Sequence, residues 1–127
     1  MTVGIVDTTV IIHLFRRNKA AESWLQGLTS RLSITPMTWM EVIYGAPGKS
    51  GQAACLALMS RFEMVYPTST DMDWAMQSLH KYRLSHGVTI LDCLIASVAY
   101  REQVPLYTDN VKDFQPILPA SLITKPY

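Results

Sequence analysis

The sequence predicts an α/β fold around a largely parallel sheet, on three observations. Short runs rich in Val, Ile and Leu alternate with longer segments whose apolar residues recur every three or four positions. Strands that alternate with helices build crossover units and a parallel sheet. The 127 residues suit one domain, 1–127, with its own core, and no repeat, linker or low-complexity stretch divides them. A hydrophobic content of 49% against 17% charged residues excludes a disordered chain.

The elements follow in order. Val3–Val6 is a β-branched run that reads as a buried strand, ended by Asp7-Thr8-Thr9. Val10–Phe15 reads as a helix and Ala20–Leu28 as a second, with Trp24, Leu25 and Leu28 at helical spacing. Leu32–Ile34 is a short strand. Thr35-Pro36 starts a helix, because Thr offers a capping oxygen and Pro loses no hydrogen bond in the first turn. Gly45 through Gly51, with Pro47 between, is expected to break that helix. Gln52–Phe62 is expected to be helical and Met64–Tyr66 extended. Ser69 or Thr70 is expected to cap a helix that carries Trp74, Met76, Leu79 and Tyr82 and ends near His86-Gly87. Thr89 opens a helix through Arg101, Pro105 precedes a strand at Leu106–Thr108, and a tail strand is expected near Leu122–Thr124.

Several function classes drop out early. The apolar runs are too short to span a bilayer, and no basic segment with an apolar stretch and cleavage site opens the chain, so no membrane role or secretion is expected. Cys55 and Cys93 belong to no Cys-x-x-Cys pair and read as reduced core thiols of a cytoplasmic protein. The net charge of +1 is silent about nucleic acid. The local cluster Arg16, Arg17 and Lys19 is either a solvated helix end or a place for phosphate. Neither a Gly-rich phosphate loop nor a nucleophile elbow is present, and His13, His80 and His86 lack ligand spacing.

Isolated acids are the strongest functional signal. Asp7 is the only Asp, Glu, Lys or Arg between Met1 and Phe15, Glu41 between Leu32 and Gly48, and Asp92 between Leu84 and Tyr100. A carboxylate removed from water is costly unless it is paired, protonated or bound to a metal. Asp7 ends the first strand, where open parallel sheets collect ligands, though it equally suits the cap of the next helix. Glu41 lies mid-helix, where no cap is needed, with Met37, Met40 and Tyr44 at spacings of three and four and apolar residues round most of the helix. The bland alternative is a Glu whose tip reaches solvent. Asp92 follows Thr89 by three, which fits a capping-box variant as well as a site at the helix start. Asp109 follows the Leu106–Thr108 strand, and Asp113, four residues on, reads more simply as part of a polar turn.

Four blocks of this sequence resemble the PIN-domain nucleases. Val6-Asp7-Thr8-Thr9 followed by Val10-Ile11-Ile12 is similar to the family's opening strand and turn, and Thr38-Trp39-Met40-Glu41-Val42-Ile43-Tyr44-Gly45 to its T-x-x-E-(apolar)-x-x-G helix. Asp92-Cys93-Leu94-Ile95-Ala96 resembles the D-x-L-I-A segment, and Thr108 through Asp113-Phe114 the closing T-x-N-x-x-D-F stretch. The blocks stand in the family's order over nearly the whole chain, and the length resembles the VapC-type toxins of prokaryotic toxin–antitoxin pairs. The resemblance implies a three-layer α/β/α domain with a central, mainly parallel sheet. It also implies a Mg²⁺- or Mn²⁺-dependent endoribonuclease, usually homodimeric and held inactive by a small antitoxin protein. Carried over, it makes Asp7, Glu41, Asp92 and Asp109 catalytic, with Asp113 as a possible further acid. Asp7 and Asp92 would touch the metal directly, Glu41 and Asp109 through water or a second ion, and Thr8, Arg16 and Arg17 would meet the RNA substrate. Thr9 departs from the pattern, since many members carry Asn there, and Asp109 fills a slot that relatives fill otherwise. A non-catalytic PIN-like module that binds RNA or protein is the main alternative. A signalling receiver domain lacks support, because Asp7-Thr8 is not the adjacent acidic pair that receivers need. The three tryptophans and seven methionines are expected to leave apolar surface for a partner.

Overall fold

The computed structural model describes residues 1–127. Its centre is β1 (Ile5–Val6), whose two side chains point to opposite faces as the pleat requires. Ile5 enters one buried cluster with Ala96, Val98, Ala99, Leu106 and Phe114. Val6 enters the other with Val10, Ile11, Leu14, Ile34 and Phe62. Two cores on the two faces of one sheet make a three-layer α/β/α domain, as the sequence predicts.

Chain order explains the layers. After β1 come α1 (Thr8–Phe15) and α2 (Lys19–Gln26), then β2 (Ser33–Ile34), α3 (Pro36–Gly45), α4 (Gly48–Met59) and β3 (Glu63–Met64). The long α5 (Ser69–His86) and α6 (Ile90–Glu102) precede β4 (Leu106–Tyr107), and α7 (Val111–Phe114) and a 3₁₀ turn at Ala120–Leu122 precede β5 (Ile123–Thr124). All pairs are parallel and the strand order is β3-β2-β1-β4-β5. Ile5 pairs with Ser33 on one side and Leu106 on the other, so the order reverses at the β1–β4 boundary. In open parallel sheets the crevice beyond that boundary is the usual ligand position. No helix is long and apolar enough to cross a membrane.

Some expected boundaries move. The break after α3 is only Ala46-Pro47, and α4 already begins at Gly48. Gly48 starts it with φ +65°, and Gly51 sits so close to Pro47 that an added Cβ would lie 2.7 Å from the proline ring. These glycines admit a tight helix start; they do not end a helix. That helix stops at Met59, short of Phe62. The cap of α5 is Thr68, and the expected Ser69 and Thr70 fall inside the helix. Thr68 accepts from the Asp71 N–H at 3.1 Å, and the Asp71 carboxylate accepts from the Thr68 N–H at 2.9 Å. Where a plain polar turn is expected after β4, Val111–Phe114 winds into α7 and buries Phe114 completely. Cys55 and Cys93 are free and buried.

Glu41's helix is not buried all round. Met37 and Val42 are covered, but Met40 is 56% and Tyr44 95% exposed, since nothing else in the chain packs on that face. The tryptophans contribute less open surface than expected. Trp24 packs on Tyr107 and Tyr127, and Trp74 stacks on Tyr100 with ring centres 5.1 Å apart.

Candidate active site

Asp7 fills the one-residue turn between β1 and α1 and is only 4% exposed. It stands at the cap position of α1, yet its side chain closes no capping bond. The carboxylate turns instead towards the end of β4. Its Oδ2 accepts from the Thr9 hydroxyl at 2.9 Å and from the Thr108 hydroxyl at 2.8 Å. Burial raises the Asp7 pKa, and these two hydroxyls and the nearby N–H groups of Thr8 and Thr9 oppose that rise. No Lys, Arg or His forms an ion pair with it.

The neighbouring elements add further acids. The Thr8 hydroxyl donates to Glu41 Oε1 at 2.8 Å and lies 3.0 Å from the fully buried Thr38 hydroxyl, which ties α1 to α3. Glu41 itself is half-buried. Asp92 sits in the first turn of α6, where its N–H donates to the Thr89 hydroxyl at 3.1 Å. Its pKa is pushed up to about 6, first by burial and further by the charges of Asp7 and Asp113, against the pull of Thr89. The charges of Asp7 and Asp113 both reach Asp92. Asp109 faces elsewhere. Its carboxylate meets Lys125 Nζ at 3.2 Å and His13 Nε2 at 3.9 Å, while its backbone N–H donates to the Thr9 hydroxyl at 3.2 Å. Asp113, exposed on α7, is therefore the late acid whose charge bears on Asp92.

The model of the PIN domain matches residues 4–115, a span that includes every acid just described. The chain belongs to the PIN-domain family. It is 28% identical over 134 aligned positions to the ribonuclease VapC of Rickettsia bellii (strain RML369-C), with 96% of each protein covered. Its fold resembles a chain of the DNA-bound VapBC from Salmonella typhimurium with a TM-score of 0.79, at 25% identity over 98% of both chains. VapBC-1 from nontypeable Haemophilus influenzae matches with a TM-score of 0.74, 27% identity and coverage of 91% and 92%.

The donor set of this PIN domain fits a hard divalent cation. It offers only carboxylate and hydroxyl oxygens, the negative charge has no cationic partner at Asp7 or Asp92, and both carboxyls are held above their ordinary pKa. It is not a ready-made cage, because no three His, Cys, Asp or Glu side chains are grouped closely enough to enclose an ion. Mg²⁺ commonly binds through one or two carboxylates and keeps several waters, which such an open set satisfies.

Arg16 and Arg17 lie past the far end of α1, about 14 Å along its axis from Asp7 at 1.5 Å per residue. Arg17 is paired with Glu22 at 2.8 Å, and Arg16 carries no ion pair. Beside Glu41 an open apolar groove of about 500 Å³ is lined by Met37, Met40, Tyr44 and Leu91. Thr38 and Thr108, which the sequence offered only as motif positions without a role, are both fully buried and both bonded into the site. A Thr directly after an apolar strand and immediately before Asp109 was the available signal for Thr108.

Proposed function

We propose that this PIN domain is an endoribonuclease, the toxin of a toxin–antitoxin pair, which hydrolyses RNA at its acidic site with Mg²⁺ or Mn²⁺. The observation that carries the reading is Asp7: a carboxylate 4% exposed, without a cation, at the strand-order reversal, and joined electrostatically to Asp92. Structural ion pairs do not leave a buried charge so uncompensated. The names of the relatives, a ribonuclease VapC and VapBC proteins, support the toxin assignment.

The residues divide the work. Asp7 and Asp92 would hold the ion, and Glu41 and Asp113 would orient the water beside it. When bound, a divalent ion supplies Lewis acidity, making water a better nucleophile and offsetting charge on the leaving oxygen. Thr8 fixes the Glu41 carboxylate from below. Arg16 meets phosphates away from the cut rather than at it. Open, shallow acidic sites of this kind suit unstacked or looped RNA, whose backbone can bend towards the ion. We assign the exposed face of Met40 and Tyr44 and the adjoining start of α6 to partner contact, with an antitoxin and a second copy of the chain as the partners.

The test is cleavage of RNA by the purified chain, free of any antitoxin. Activity should appear with Mg²⁺ or Mn²⁺, stop on adding chelator, and vanish in Asp7→Asn. RNA binding without cleavage under every metal condition would instead establish the non-catalytic module.

A further inference from the structure

Two hydroxyls converge on a single oxygen of Asp7, and both are oriented by the same short turn. Thr9 Oγ1 accepts the backbone N–H of Asp109 at 3.2 Å and donates its proton to Asp7 Oδ2. Thr108 Oγ1 accepts the backbone N–H of Asn110 at 2.9 Å and donates to the same Oδ2. A hydroxyl has one proton, and a rotor whose acceptor side is engaged by an N–H is left with that proton directed at its other neighbour. The turn that supplies both N–H groups is itself anchored, since the Asp109 carboxylate is bonded to Lys125 and faces His13, which in turn meets the Tyr127 hydroxyl at 2.6 Å.

We propose that the Asp109–Asn110 turn, anchored through Asp109 to Lys125 and His13, is a positioning device for Asp7 that fixes the Thr9 and Thr108 protons on Oδ2 and keeps Oδ1 for the ion. The inference rests on the functional reading above and deepens it, for it makes Asp109 a positioning residue that acts through Thr9 and not a ligand. It also gives Thr9 a role of its own. Thr9 is the joint where β4's turn reaches the N-terminal carboxylate, and a residue without a donor there leaves Asp7 Oδ2 held by Thr108 alone.

The experiment is Mn²⁺ titration of the antitoxin-free full chain by calorimetry, beside RNA cleavage kinetics and thermal melting. Thr9→Val removes the hydroxyl at nearly constant volume and should weaken Mn²⁺ binding about tenfold, the scale of one lost hydrogen bond to a charged group. Its kcat should fall while KM for RNA stays within about twofold, since substrate contacts are untouched. Thr9→Ser should restore both. Asp109→Asn should weaken Mn²⁺ binding by only about threefold, far less than Asp7→Asn, because the backbone N–H that orients Thr9 survives. Should Thr9→Val fail to fold, Asp109→Asn and Thr9→Ser still decide the matter. Unchanged Mn²⁺ affinity in a folded Thr9→Val, or Asp109→Asn as damaging as Asp7→Asn, overturns the inference alone. A parent chain that binds no Mn²⁺ brings down the functional reading and this inference with it.

Discussion

At the scale of single residues, the cost of keeping Asp7 and Asp92 ionised without a cation should be measurable. Both pKa values are raised, with Asp92 at about 6 against an ordinary 3.8. Between those two values the folded chain holds a proton that the unfolded chain has released, so metal-free stability falls as pH rises through that window and stays low above it. Asp92→Asn should therefore melt close to the parent near pH 4 and above it at pH 7, with the gap opening between pH 4 and about 6 and levelling off beyond it. Equal melting curves across the range would refute the electrostatic account of Asp92. Asp7→Asn should likewise raise the metal-free melting temperature at pH 7, by about 4 °C for each kcal/mol of relieved strain, while abolishing stabilisation by Mn²⁺. The isolation of Asp7, Glu41 and Asp92 was legible in the sequence because a lone charge in an apolar run announces its own desolvation cost. The division between Asp109 and Asp113 was not. Both sit after a strand, and only the fold brings Lys125 and His13 against one and Asp92 near the other.

Elements were legible where a local rule had one solution and obscure where it had several. Thr35-Pro36 admitted a single helix start, and the structure has it. Thr68, Ser69 and Thr70 all offered a capping oxygen, and the choice fell to Thr68 because Asp71, three residues on, completes the reciprocal pair. Asp71 then does more than cap. It is 2% exposed, and both of its oxygens accept from Arg101 Nε, at 3.0 and 2.9 Å, so the start of α5 is fastened to the end of α6. Asp71→Ala removes the partner of Arg101 Nε and of the Thr68 N–H together and should cost about 2 kcal/mol, read from the urea midpoint. Cleavage per folded molecule should stay at the parental level, since α5's cap has no bond to the acidic site. A drop in activity larger than the drop in folded fraction would tie this clasp to catalysis. The glycines from Gly45 to Gly51 misled for a different reason. Gly is both a helix breaker and the only residue that fits against a proline ring at 2.7 Å, and the sequence alone does not say which use applies.

For the molecule as a whole, the alternation of strands and helices was enough to predict a largely parallel sheet, and the family resemblance added the three layers, which suit a parallel sheet because both its faces must be covered. The open face of α3 was not predictable in the same way, since an apolar helix reads as buried whether its cover lies in the same chain or another. Met40, Tyr44, Leu84 and Ile90 are each more than half exposed, which is costly for an isolated monomer. Sedimentation at micromolar concentration should find a dimer, and a clean monomer would speak against a second copy as the cover. The strand order also bears on how the molecule comes into being. β1 is made first, but it is flanked by β4, and the hydroxyl that holds Asp7 at Thr108 lies 101 residues further along. Closing so long a loop costs entropy before any contact repays it, which makes such topologies slow to form. During synthesis the first acidic residue of the site leaves the ribosome long before its partners exist, so the acidic site stays incomplete on the nascent chain until residues 106–108 have emerged and docked.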